Sequence, residues 1–152
     1  MQLPTFDPVD RPLHLTKEKA AARQAQLAIS ALLAGDYDAA ITLAGAAEEM
    51  LTGDPGVEVT TQAMAPPKGA EELAPYKWPE IVNLERNWLK HRTATEKIPP
   101  EITLDLDNAP FYVFRAIRKL PLALISPEMI AFDEWYRGRI TTKRQTRENP
   151  PR

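Results

Sequence analysis

Asn83, Arg86, Asn87, Lys90 and His91 fall within nine residues of this chain, and His91 is one of only two histidines in it. On an α-helix Asn83, Asn87 and His91 are successive i, i+4 neighbours, with Arg86 one turn before Lys90 and beside Asn83 at i+3. A single polar face then presents two amides, two permanent cations and an imidazole. Imidazole exchanges a proton near neutral pH. A guanidinium grips phosphate with two parallel N–H groups and stabilises the negative charge that develops on its oxygens as phosphorus is attacked. These are the parts of a metal-independent RNA cleavage in which the 2′-hydroxyl attacks the adjacent phosphate. One imidazole takes the 2′ proton and the departing oxygen wants a second proton donor, so the chemistry calls for two such helices facing each other across a homodimer.

Ordinary helix physics offers a second account of the same residues. A histidine near a helix C-terminus, flanked by Lys90 and Arg92, complements the helix dipole and can bond terminal carbonyls. Glu48 and Glu49 lie late in their own helix, where the dipole disfavours acids. One of them reaching Arg86 would orient it, and Glu48 is the preferred supporting residue; a solvated pair beside a turn is the alternative. Trp88, Trp135, Phe111 and Phe114 fall on apolar stripes and read as core rather than as platforms for bases. His14, close to Pro12, reads as an exposed loop residue.

Five helices are expected to position these groups. Thr16 is a natural N-cap, and Ala21, Ala25, Ala28, Ile29 and Leu32 then share one face up to Ala34. Gly35 stops that helix and Asp36 starts the next, which runs to about Thr52 with Tyr37, Ala40, Ile41, Leu43, Ala44, Ala47 and Leu51 on its apolar side. So short a connection predicts an antiparallel hairpin, and Ala44 to Ala47, with Gly45, predict close packing of a neighbour. A long proline-rich loop, residues 53–78, separates helices 2 and 3, with Val57 to Thr61 its only strand-like run. Pro79 suits the first turn of a third helix reaching about Thr93. Asp105 or Asp107 is expected to cap a fourth helix carrying Phe111, Phe114, Ile117 and Leu120, with Pro110 in its first turn. Ser126 and Pro127 open a fifth helix with Met129, Ile130, Phe132, Trp135 and Tyr136. Beyond Ile140 the chain is polar, basic and expected to fray.

The domain reading is a proline-rich N-terminal segment at 1–15, one helical bundle at 16–140 and a basic tail at 141–152. Its 152 residues suffice for one core and are few for two. A net charge of −2 provides no global attraction to nucleic acid or anionic membrane, so any such contact must be local. With no cysteine there is no disulfide framework and no thiol nucleophile. Two distant histidines do not suggest a metal site, and no cofactor is expected. Neither a signal-peptide core nor an apolar run long enough to span a membrane occurs, so a cytoplasmic protein without membrane contact is expected.

Arg86, Asn87 and His91, with four residues between Arg and His, resemble the Arg-polar-x-His signature of HEPN domains, all-α helical bundles of toxins, phage-defence systems and RNA-processing factors. The turn Gly35-Asp36-Tyr37, the segment Leu43 to Glu49 and the run Phe132 to Arg137 look like those of small bacterial HEPN-like proteins, so the resemblance spans roughly residues 16–139. It implies Arg86 and His91 as the catalytic pair and Asn87 as the polar companion; Asn83 and Lys90, from the shared helix face, and Glu48, from its place late in helix 2, are the expected RNA-binding or supporting residues. It also implies a homodimer acting on RNA in a defence or toxin–antitoxin system, with turnover left open. A non-catalytic interaction module, partner or regulator of a nucleotidyltransferase-type protein, is the alternative.

Overall fold

Thr16 is extended and its hydroxyl accepts the Lys19 amide at 3.2 Å, which starts helix α1, Lys17–Ala34. At the other end Gly35 sits at φ +80°, a left-handed conformation that a Cβ would strain. The Gly35 amide donates to Leu32 O at 3.1 Å and the Asp36 amide to Ala31 O at 2.9 Å, the paired bonds of a Schellman motif. Helix α2, Tyr37–Glu49, follows at once, so the chain reverses as the turn residues require. Asp36 occupies the cap position but its carboxylate makes no cap hydrogen bond.

The computed structural model describes residues 1–52, 83–91 and 100–151. Among them the chain is all-α, a bundle of five helices and one 3-10 turn with no strand: α1, α2, α3 (Leu84–Lys90), α4 (Ala109–Lys119), the turn Leu122–Leu124, and α5 (Pro127–Glu148). The proline-rich connection, its Val57 to Thr61 run, Pro79 and Thr93 lie outside the described residues.

Ala21, Ala25 and Ala28 of α1 and Ala40, Ala44 and Ala47 of α2 are all fully buried. Each contributes little apolar area, yet small side chains let two backbones approach and gain dispersion contact along their length. Helix α4 packs against α1, α2 and α5. Phe111, Tyr112, Val113, Phe114, Ala116 and Ile117 are all buried, a wider apolar surface than one stripe, because helices cover it on more than one side. Pro110 lies in its first turn as expected. Neither Asp105 nor Asp107 caps it: Asn108 holds the cap position, and its amide side chain instead ties the preceding loop, accepting from Asp105 N and donating to Thr103 O, each at 3.0 Å. Pro121 ends α4 by holding Leu120 at ψ 142°, outside helical space.

Ser126 caps α5, accepting the Met129 amide at 3.2 Å while its own hydroxyl donates to Gln26 Oε1 of α1 at 2.7 Å. Phe132 and Tyr136 stack at 5.8 Å, and Tyr136 meets Phe114 of α4 at 4.9 Å. Ile130 and Trp135 are not core, being 52% and 43% exposed. The expected fraying after Ile140 does not occur: α5 continues to Glu148. Ion pairs support it: Asp107 takes Arg139 and Lys143, and Arg144 pairs with Glu148 at 3.2 Å. Thr141, Thr142 and Thr146 satisfy their hydroxyls on carbonyls one turn earlier.

Candidate functional site

The C-terminal end of α2 brings two adjacent acids to opposite neighbours. Glu48 is 5% exposed and turns toward α4, where its Oε1 accepts Arg115 Nη2 at 2.6 Å and faces Lys119 Nζ at 3.4 Å. Glu49 is half-exposed and turns toward α3, where the same Oε1 pairs with Arg86 and with Lys90 Nζ, the latter at 2.8 Å. Acids are poorly placed at a helix C-terminus. Four cations, two from each neighbouring helix, offset that. The Lys90 hydrogen bond and the Arg86 charge hold the Glu49 carboxyl below its ordinary titration range, against the opposing effect of partial desolvation. The orienting acid is therefore Glu49 rather than Glu48. Successive helix positions differ by about 100° in direction, so the two carboxylates separate onto α3 and α4.

Arg86 is positioned along its whole length. Its side chain is 12% exposed and lies across Gly45: a Cβ there would stand 2.9 Å from Arg86 Cδ and Nε. The small-residue run in α2 thus accepts a side chain from α3. Below it, the Arg86 amide meets the Tyr112 hydroxyl at 3.5 Å, and that hydroxyl donates to Glu85 Oε2 at 2.6 Å. Burial, reinforced by the Glu85 carboxylate, drives the Tyr112 phenol well above its ordinary range, so it remains a donor. Arg86 Nε is buried with no hydrogen-bond partner among the described residues.

The single polar face expected from helical spacing is divided. Asn83 stands at the N-cap position of α3, and its Oδ1 accepts Arg115 Nη1 at 2.8 Å, so it belongs to the Glu48–Arg115 network. Arg115 also lies over the Phe111 ring at 5.4 Å. Glu48 consequently supports α3 through Arg115 and Asn83 and does not touch Arg86. Asn87 is half-buried within the helix, and its carbonyl accepts the His91 amide at 3.0 Å. Lys90 is the last helical residue, and His91 is the C-cap, with φ −111°, ψ 130° and an exposed side chain. Helix α3 thus ends before the expected Thr93, and its imidazole sits at the rim.

The chemical capacity follows from this division. Arg86 is a fixed guanidinium with one nitrogen committed to Glu49, Lys90 is a half-exposed ammonium beside it, and His91 is open to solvent one turn further. Phosphate could compete with Glu49 for the two cations. Among the described residues the other histidine is His14, exposed in the segment before α1. Those residues also hold no cluster of three or more histidines or carboxylates able to grip a metal ion, and no described helix is long and apolar enough to cross a membrane.

Sequence reasoning missed Tyr112, Glu85, Arg115 and Lys119. Tyr112 carried a readable signal, since a phenol inside an apolar run needs a hydrogen-bond partner when buried. Arg115 and Lys119, four residues apart on α4, form a basic face matching the acids of α2. Comparison with protein-family models, curated proteins and solved structures finds no match to this chain.

Proposed function

We propose that this chain is a HEPN-like protein directed at RNA, a metal-independent endoribonuclease acting as a homodimer in a defence or toxin–antitoxin setting within the cytoplasm. The observation that carries the reading is Arg86, laid across Gly45, fixed by Glu49 and followed at the helix end by an exposed histidine. A preorganised guanidinium requires little reorganisation when negative charge builds on phosphate. In the proposed reaction the 2′-oxygen attacks the adjacent phosphorus as His91 takes its proton. The bond to the 5′-oxygen breaks, and the partner's His91 protonates that leaving oxygen. The products are a 2′,3′-cyclic phosphate and a 5′-hydroxyl. Arg86 and Lys90 bind the phosphate, with Asn87 beside them, while Asn83 and Glu48 hold α3 in place.

One observation favours a second reading, a non-catalytic interaction module that binds or regulates a nucleotidyltransferase-type protein. Arg86 is already paired and largely covered, so in the single chain it behaves as a structural ion-pair member. Incubating mixed RNA with the protein in EDTA separates the two. Cyclic-phosphate ends that disappear in both Arg86→Ala and His91→Ala support the nuclease. No cleavage by the wild-type dimer, or equal cleavage by all three proteins, rejects it.

A further inference from the structure

Helix α5 separates its charges along its length. From Pro127 to Tyr136 it carries Glu128, Asp133 and Glu134 and no cation; from Arg137 to Glu148 it carries Arg137, Arg139, Lys143, Arg144 and Arg147 against Glu148 alone. The helix dipole favours cations only within the last turn, which accounts for Arg147 and not for the cations before it. Every residue from Thr141 to Glu148 is exposed, so this end of α5 is open to solvent on all its faces.

The cations also have an order. Trp135, Arg139, Lys143 and Arg147 are successive i, i+4 positions, one ridge of the helix with about 6 Å of rise between members. Trp135 is 43% exposed, at the edge of an apolar groove between the α1–α2 turn and α5. The Arg139 guanidinium lies over its ring at 5.8 Å. Asp107, from the loop before α4, sits against the same ridge: Arg139 Nη2 donates to its Oδ1 at 3.1 Å, and Lys143 pairs with that oxygen as well. Arg147 forms no ion pair among the described residues.

We infer that this ridge binds single-stranded RNA, with one base stacked on the Trp135 indole and the neighbouring phosphates on Arg139, Lys143 and Arg147 in place of the Asp107 carboxylate. An aromatic face on which any base can stack, continued by cations that follow the backbone, is what an unpaired strand requires. A duplex keeps its bases stacked on each other and would leave the indole unused. A bilayer surface does not fit, because a helix held there buries an apolar face and Thr141 to Glu148 contain no apolar residue. The Asp107 carboxylate is exposed, and exposed ion pairs are weak, so phosphate displaces it at little cost. That the strand is RNA rests on the proposed function. Stacking and phosphate contacts do not use the 2′-hydroxyl, so a DNA oligomer of the same sequence should bind comparably.

Fluorescence polarisation of a labelled oligouridylate tests the ridge on the full chain carrying His91→Ala, in which the proposed cleavage cannot run. Trp135→Leu keeps apolar bulk but removes the aromatic face, and should weaken binding roughly fivefold to a hundredfold; Trp135→Phe should retain most of the affinity. Lys143→Gln and Arg147→Gln should each weaken binding and flatten the dependence of log Kd on log salt by about 0.7. Asp107→Asn removes the competing carboxylate and should tighten binding roughly twofold to fivefold. Helical circular dichroism is followed for each variant. No binding at low salt overturns the inference, as does affinity indifferent to Trp135→Leu in a folded protein, or weakened by Asp107→Asn. Binding with these effects but no cleavage by wild type leaves the ridge standing and ends the nuclease reading. Cleavage with no change in affinity across the variants does the reverse.

Discussion

The α1–α2 hairpin and helix α3 are stabilised in opposite ways. Between α1 and α2 the buried groups are alanines and branched aliphatics, with a cap at Thr16 and a left-handed Gly35 at the turn. Helix α3 has seven residues and buries none of them fully. It is seated by polar contacts to α2 and α4: Arg86 and Lys90 on Glu49, Glu85 on Tyr112, Asn83 on Arg115. The first element follows from its own sequence, since its residues satisfy each other at short range. The second depends on partners 26 to 41 residues away, and a helix this short has little stability alone. The candidate site is built on the dependent element, which makes it sensitive to changes that leave the bundle intact.

Four substitutions test that contrast, beginning with the largest effect. Glu48→Ala leaves the largely covered Arg115 and Lys119 without their counter-charge, and should cost about 3–5 kcal/mol by urea denaturation. A loss under about 1 kcal/mol would mean that water already reaches the pair. Tyr112→Phe removes the donor to the Glu85 carboxylate and should cost about 1.5–3 kcal/mol. Hydrogen exchange should quicken in α3 and remain slow in α1 and α2; uniform acceleration would show that the two regions are one cooperative unit.

Gly45→Ala places a methyl group against Arg86 while improving the intrinsic helicity of α2. Global stability should stay within about 1 kcal/mol, because the helicity gain opposes the displacement of Arg86. RNA binding or cleavage should fall roughly tenfold to a hundredfold if Arg86 must stay in place. Unchanged activity would remove Arg86 positioning from the proposal. Glu49→Gln is the mildest, costing within about 1 kcal/mol near neutral pH because its carboxylate is half-exposed. Folding lowers this carboxyl from its ordinary 4.5, so its contribution is complete above about that pH and fades as pH falls through the lowered value. Wild type and Glu49→Gln should therefore converge in stability in acid and diverge toward neutrality.

Much of the fold was legible because its signals are local. Thr16, Gly35, Ser126 and Pro110 each act on backbone groups within a few residues, and all four do what their types imply. The apolar face of α1 is buried residue for residue as its spacing predicts. Where a local signal competed with distant partners, the distant partners decided. The segment after Ile140 looked too polar to persist as helix, yet Asp107, from the loop before α4, anchors it through Arg139 and Lys143. That pairing, led by the Lys143 bond, also lowers the Asp107 carboxyl. Trp135 shared a stripe with core residues but faces the open groove.

From the sequence alone come an all-α bundle, the hairpin, the start and stop of α1, the opening of α5 and the concentration of Arg86, Lys90 and His91 on one short segment. These are set by backbone geometry and by spacing along a single helix, which a linear chain specifies directly. Tertiary structure alone decided that Glu49 takes Arg86 while Glu48 turns inward, that Asn83 joins Arg115, and that His91 ends the helix instead of continuing its face. Two adjacent acids are nearly equivalent in a sequence. They become different groups only when two helices arrive on different sides of α2 and bring their cations with them.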